Sequence, residues 1–130
     1  MVPVKSCMVP VDKIVKVDRD ILVKTAAEMM RDNGIGSVIV TSGEEIIGIL
    51  TDTDLVRRVV AAGADPMRTT VEKIMSAPIV SIEADRTLLD ANDLMAKEHI
   101  RHLGITQSGT MVGMISVRDL VVFLTNLPRK

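Results

Sequence analysis

Two short stretches, GILTDTDL at residues 48–55 and GMISVRDL at residues 113–120, share one pattern. In each stretch an apolar run with a glycine ends at a hydroxyl residue, and an aspartate follows three residues later. The apolar residues that come next have the length and spacing of a helix. The hydroxyl and the carboxylate are therefore predicted to meet where a strand ends and a helix begins. These two pairs, called the first and second motif below, are Thr51 with Asp54 and Ser116 with Asp119.

The two motifs belong to a longer internal repeat, because Ile14–Val56 aligns with Ile79–Val121 without a gap. Upstream, Val4–Met8 (VKSCM) corresponds to Val71–Met75 (VEKIM), and both are predicted to form a short leading helix. We interpret the chain as two repeats, residues 1–66 and 67–130, that together form one module.

Each repeat has the pattern strand, helix, strand, strand, helix. Runs such as VIV, IIGIL and MVGMI are apolar throughout, so both faces of each sheet are predicted to be covered. We predict an α/β (α+β) fold in which two β-α-β-β-α repeats pack sheet to sheet about a pseudo-twofold axis, with two clefts near the motifs. The predicted strands span residues 13–17 and 79–82, the helices 21–32 and 87–98, and the hairpins 37–41 with 46–50 and 103–106 with 111–115.

Composition restricts the possible partners and the compartment. Sixteen Lys and Arg residues face 17 Asp and Glu, a net charge of −1, which favours neither nucleic acid nor an anionic membrane. The single Cys7 cannot form an internal disulfide, and the N-terminus lacks the features of a secretory signal. No apolar run approaches the roughly 20 residues that span a bilayer. We therefore expect a cytoplasmic protein without a membrane partner.

The helices that follow the motifs carry apolar residues on more than one face. Leu120–Leu124 is apolar throughout, and the corresponding helix carries Leu55, Val56, Val59 and Val60. A single stripe facing the core cannot bury them all. A second copy packing against these helices is the simplest explanation, so we predict a homodimer.

Two interpretations of the motifs are open. The S/T-x-x-D spacing is that of a capping box, in which both side chains only satisfy free amides at a helix start. Alternatively, the hydroxyl and the helix amides face a phosphate or sugar, while the carboxylate accepts hydrogen bonds from ribose hydroxyls. Gly48 and Gly113 favour a ligand, because a strand glycine often marks the close approach of another group. Basic or imidazole side chains also lie near the motifs: Lys16, Arg57, Arg101, His102 and Arg118.

The doubled motif, together with GIGSVIV at residues 34–40 and RHL at residues 101–103, resembles a pair of CBS domains. The resemblance covers essentially the whole chain. It implies a regulatory module that binds AMP, ADP, ATP, S-adenosylmethionine or a dinucleotide between the repeats, signals to an unknown protein partner, and has no catalytic activity and no obligatory cofactor. It also implies that Asp54 and Asp119 hold the ribose hydroxyls, and that Thr51 and Ser116 contact ribose or phosphate. The other candidate ligand-binding residues are Arg118, Arg101, His102, Leu103, Lys16, Ser37, Val38, Ile14, Ile79 and Ser81.

The two sites are expected to differ, because Asp52 makes the first motif acidic whereas Arg118 favours phosphate at the second. His99 and His102 lack a third nearby ligand, so no metal site is predicted. The alternative function is an assembly module without a ligand, in which the motifs only cap helices and the dimer surface is the functional part.

Overall fold

A computed structural model describes residues 2–126, and it forms two compact units. One unit consists of residues 15–79, and the other combines residues 1–14 with residues 80–130. The outermost residues of the predicted repeats, 1 and 127–130, lie outside the described part. The strands are β1 (Val9–Pro10), β2 (Lys16–Asp18), β3 (Ser37–Ser42), β4 (Glu45–Thr51), β5 (Ser81–Glu83), β6 (His102–Gln107) and β7 (Thr110–Ser116). The helices are α1 (Val23–Asn33), α2 (Asp52–Asp54), α3 (Val71–Ile74), α4 (Leu88–Glu98) and α5 (Val117–Thr125).

The unit of residues 15–79 is built on a three-stranded sheet with the order β2-β3-β4. β2 runs parallel to β3, and β3 forms an antiparallel hairpin with β4. The backbone continues from α2 into a π-helical turn, Leu55–Val60, in which the Ala61 amide bonds the Val56 carbonyl. Helices α1 and α3 contribute Val23, Ala26, Val71 and Ile74 to one buried core.

The second unit repeats this plan with one added strand, in the order β1-β7-β6-β5. β1 pairs antiparallel with β7, so that Val9 faces Met114 and Pro10 faces Gly113. Helix α4 begins at a capping box made by Thr87 and Asp90, as the sequence predicted. It ends at His99 in the left-handed conformation, where Gly34 ends α1 in the same way.

Both hairpins have buried residues on consecutive positions, as expected for strands covered on both faces. Val38, Ile39 and Val40 are each fully buried, and so are Leu103 and Ile105. The mixed α/β class and the two β-α-β-β-α repeats are therefore confirmed. The predicted helices and hairpins agree to within about two residues, whereas the first strand of each repeat begins two or three residues later than predicted.

Each repeat begins with a leading segment, residues 4–9 in the first repeat and residues 71–76 in the second. Each leading segment packs on the sheet of the other repeat. Val4, in a short 3₁₀ turn (Val4–Ser6), is fully buried in the core of the unit built on repeat two. Helix α3, which opens repeat two in sequence, contributes Val71 to the core of repeat one. The two compact units are therefore offset from the sequence repeats by one leading segment each.

Candidate functional site

Both motifs form complete capping boxes. In the first, the Asp54 amide donates to Thr51 Oγ1 (3.2 Å), and the Thr51 amide donates to Asp54 Oδ2 (3.0 Å). In the second, the Asp119 amide donates to Ser116 Oγ (3.2 Å), and the Ser116 amide donates to Asp119 Oδ2 (2.8 Å). Helix capping is therefore an observed role of all four residues. Capping still leaves lone pairs on each aspartate free to accept further hydrogen bonds, because a carboxylate offers about four lone-pair sites.

The two motif glycines are explained by the chain itself. A Cβ on Gly48 would lie 2.6 Å from Met75 Sδ and 2.9 Å from the Ser76 carbonyl oxygen. A Cβ on Gly113 would meet Met8 and Val9 in the same way. The group that approaches the strand backbone is thus a leading segment, and the glycines no longer favour a ligand.

The first motif carboxylate is buried and has several partners. Asp54 is only 5% exposed. Its Oδ1 accepts a 2.9 Å hydrogen bond from Ser76 Oγ and lies 3.9 Å from Arg58 Nε. Arg58 Nη1 also donates to the carbonyl oxygens of Ile74 (3.2 Å) and Met75 (2.9 Å). Asp54 and Arg58 therefore connect the motif helix to the second leading segment, residues 71–76.

The second motif carboxylate has a different environment. Asp119 is half-buried, and Ser116 Oγ donates to the same Oδ2 atom (3.0 Å) that caps the helix. Within residues 2–126, Oδ1 of Asp119 has no hydrogen-bond partner. The Cys7 thiol lies near this carboxylate. Burial, and secondly the negative charge of Asp119, raises the pKa of Cys7, so the protonated thiol is favoured.

Several predicted site residues lie beside the motifs. In the hairpins, Ser37 is paired with Thr51 and His102 with Ser116. The Val117 amide donates to the Arg101 carbonyl (3.0 Å), which brings Arg101 to the first turn of α5. Arg118 is exposed in that turn. The second motif is therefore accompanied by two arginines of its own unit.

The remaining predicted site residues have other environments. The side chains of Val38 and Leu103 are fully buried in the two cores, so they are core residues in this fold. Lys16 in β2 and Ser81 in β5 are exposed. Ile14 belongs to the unit that contains the second motif, and Ile79 to the unit that contains the first. Their contacts with a ligand stay predictions.

Sequence reasoning missed Ser76, Arg58 and the two methionines that cover the glycines. A signal was present, since Met8 and Met75 are equivalent in the repeat. The next position is Val9 in one copy and Ser76 in the other. Extending the alignment by one residue would have found this difference.

Two further findings concern the described part of the chain. Residues 2–126 contain no group of three or more His, Cys, Asp or Glu side chains placed to hold a metal ion. Within the same residues, every helix is too short or too polar to cross a membrane.

Two matching α/β units with a capped strand-to-helix junction in each define a tandem-repeat module. The sequence profile of the CBS domain matches residues 4–61 and again residues 71–126. The chain therefore belongs to the CBS-domain family. CBS-domain pairs are typically regulatory or signal-transduction modules without catalytic activity.

Relatives and solved structures agree with this assignment. The CBS domain-containing protein YhcV of Bacillus subtilis is 35% identical over 100 residues, which cover 77% of this chain and 71% of YhcV. An uncharacterized protein of Methanopyrus kandleri is 39% identical over 103 residues, 75% of this chain. The match covers only 53% of that relative.

Among solved structures, a CBS-domain protein from Burkholderia ambifaria matches with a TM-score of 0.82 and 31% identity, covering 91% of this chain and 88% of that one. A hexameric CBS-CP12 protein from bloom-forming cyanobacteria matches with a TM-score of 0.81 and 28% identity, covering 99% and 76%. Self-association thus occurs among proteins of this fold.

Proposed function

We propose that this protein is a regulatory module that binds an adenosine-containing ligand at the second motif and passes the bound state to a protein partner. The ligand class is AMP, ADP, ATP, S-adenosylmethionine or a dinucleotide of the NAD type. The observation that carries the proposal is the Asp119 carboxylate, whose Oδ1 atom has no partner within the described chain while its Oδ2 atom caps α5.

The geometry of this carboxylate suits a ribose. A vicinal diol presents two hydroxyl donors, and a carboxylate can accept both on its remaining lone pairs. Charge-assisted hydrogen bonds of this kind contribute about 1.5–3 kcal/mol each. Because Asp119 is half-buried, a ligand can reach it without displacing the core.

The charges around the second motif favour a phosphate on the ligand. Arg118 is exposed in the first turn of α5, where its positive charge would attract a phosphate. The partial positive charge of the helix N-terminus adds to this attraction, although the Val117 and Asp119 amides are already bonded to the Arg101 carbonyl and Ser116 Oγ. Arg101 lies beside the same turn through its backbone bond to Val117. At the first motif, by contrast, Asp52 occupies the first helical position. A nucleotide is therefore proposed to prefer the second motif over the first.

Calorimetric titration of AMP, ATP, S-adenosylmethionine and adenosine tests the proposal. Wild-type protein should bind at least one of them, and Asp119→Ala should weaken that affinity about tenfold to a hundredfold, the equivalent of 1.5–3 kcal/mol. Phosphate-bearing ligands should also weaken with added salt. Absence of binding by all four ligands, or equal affinity in wild type and Asp119→Ala, would exclude the second motif as their site.

A second candidate function is a dimeric assembly module without a ligand. It is supported by the complete capping boxes and by exposed apolar side chains on the motif helices. Val56 is 61% exposed, Val60 77% and Leu124 60%. A Thr51→Ala/Ser116→Ala double variant separates the two functions. Each lost cap should cost about 1 kcal/mol of folding free energy in either case, but only a ligand-binding module should also lose adenosine affinity.

A further inference from the structure

We infer that Ser76 closes the first motif to a ribose, so that the protein has one functional adenosine site where the sequence repeat shows two motifs. The inference rests on the proposed function, since it concerns the same carboxylate chemistry. It adds a specificity-determining residue that lies outside both motifs, in the second leading segment.

Ser76 and Val9 occupy equivalent places in the two units. Ser76 is paired with Ile49 on β4, and Val9 is paired with Met114 on β7. Ile49 and Met114 are aligned positions of the repeat, each next to its motif glycine. The same place above the motif is therefore held by a hydroxyl in one unit and by an isopropyl group in the other.

The hydroxyl of Ser76 uses the oxygen that a ribose would need. It donates to Asp54 Oδ1 at 2.9 Å, while the Thr51 amide uses Oδ2 at 3.0 Å. Each oxygen of Asp54 thus already accepts one hydrogen bond, and Arg58 also approaches Oδ1. A diol could place both hydroxyls on Oδ1, as is possible at Asp119, only by displacing Ser76 Oγ, which would then lose its partner in a half-buried position. A polar group left unsatisfied on burial costs about 1–3 kcal/mol. Valine has no donor, so Val9 leaves Asp119 Oδ1 available.

Arg58 keeps Ser76 in this position. Its guanidinium donates to the carbonyl oxygens of Ile74 and Met75, the two residues before Ser76, and also lies 3.9 Å from Asp54. The aligned residue on α5 is Phe123, which has no polar group to hold the other leading segment. The first motif is thus closed by two side chains that the second motif lacks.

The reciprocal variants Ser76→Val and Val9→Ser test the inference, with Ser42→Val as a control that removes a hydroxyl at the far end of β3. Amidation of exposed carboxylates by a carbodiimide and glycine ethyl ester, located by mass spectrometry, measures access to each aspartate without any ligand. In wild type, Asp119 should be amidated faster than Asp54, which is 5% exposed. Ser76→Val should raise the rate at Asp54, Val9→Ser should lower it at Asp119, and Ser42→Val should change neither.

Calorimetry with AMP gives the second measurement. Ser76→Val should add a second site to the wild-type stoichiometry, and Val9→Ser should weaken the existing one. Equal amidation of Asp54 and Asp119 in wild type would overturn the inference. Persistent protection of Asp54 in both Ser76→Val and the smaller Ser76→Ala would also overturn it. If wild type binds no nucleotide, the proposed function fails, and the amidation rates still decide whether Ser76 closes the first motif.

Discussion

Gly113 lies directly beneath Met8, so closely that a Cβ on the glycine would be 2.6 Å from the methionine sulfur. The backbone of the leading segment is nearly as close, with the Val9 carbonyl oxygen at 2.7 Å from the same point. The pair Gly48 and Met75 repeats this contact in the other unit. The glycine in each motif strand is therefore required by the segment that crosses it.

Gly113→Ala should destabilise the protein by about 1–3 kcal/mol, because the added methyl group overpacks against Met8 and a fixed backbone oxygen. Urea denaturation measures the change. Adding Met8→Ala should recover only part of the loss, since the Val9 carbonyl remains. Wild-type stability in Gly113→Ala would show that the leading segment is not held against β7 in solution.

The two motif aspartates should differ in their effect on folding. Asp54→Ala is expected to cost about 2–3 kcal/mol, because it removes the partner of Ser76 Oγ, the Thr51 amide and Arg58 in a buried position. Among the described residues, Asp119→Ala removes only hydrogen bonds with Ser116 and should cost about 1 kcal/mol. Denaturation of the two variants side by side makes the comparison. A larger loss from Asp119→Ala would contradict the burial difference between the motifs.

Asp90 should make stability depend on pH at the acid end. The Thr87 amide and then the Arg86 side chain, which donates at 3.0 Å, lower the pKa of Asp90 below its ordinary value of 3.8. The ionised form is thus favoured in the folded state. Its contribution is present above the ordinary value and is lost as the pH falls through the lowered pKa.

Asp90→Asn should therefore reduce the free energy of unfolding at neutral pH. The stability curves of wild type and Asp90→Asn should converge as the pH falls from 3.8 through the lowered pKa of Asp90. Denaturation at a series of pH values measures both curves, with Asp93→Asn, exposed on the same helix, as the control. A constant difference between wild type and Asp90→Asn at every pH would rule out this linkage.

The exposed apolar residues of the motif helices should support a homodimer. Val60→Glu and Leu124→Glu place a charge at positions that are 77% and 60% exposed, so each should favour the monomer without disturbing the core. Leu89→Glu is a matched control, because Leu89 is 57% exposed on α4, which is not a motif helix. Sedimentation velocity at micromolar concentration distinguishes these outcomes. Monomeric wild-type protein would refute the dimer.

The sequence by itself determined the repeat, the α/β class and the capped junctions. Apolar runs without alternation predicted hairpins covered on both faces, and Val38, Ile39 and Val40 are indeed buried in succession. The capping boxes at Thr51, Ser116 and Thr87 follow from spacing alone, because they join residues three apart in the chain. Interactions between residues close in sequence are sufficient to form these capping boxes.

Only the tertiary structure decided what lies above each motif. The contacts between Met8 and Gly113, and between Ser76 and Asp54, join residues far apart in sequence, so no local periodicity encodes them. Because each leading segment packs on the sheet of the other repeat, Gly48 and Gly113 make room for the chain itself and not for a ligand. This packing also made two aspartates that are equivalent in sequence differ, because Ser76 donates a hydrogen bond to Asp54 whereas its counterpart in the other unit, Val9, has no donor in its side chain. The availability of a carboxylate depends on the neighbours that folding brings to it.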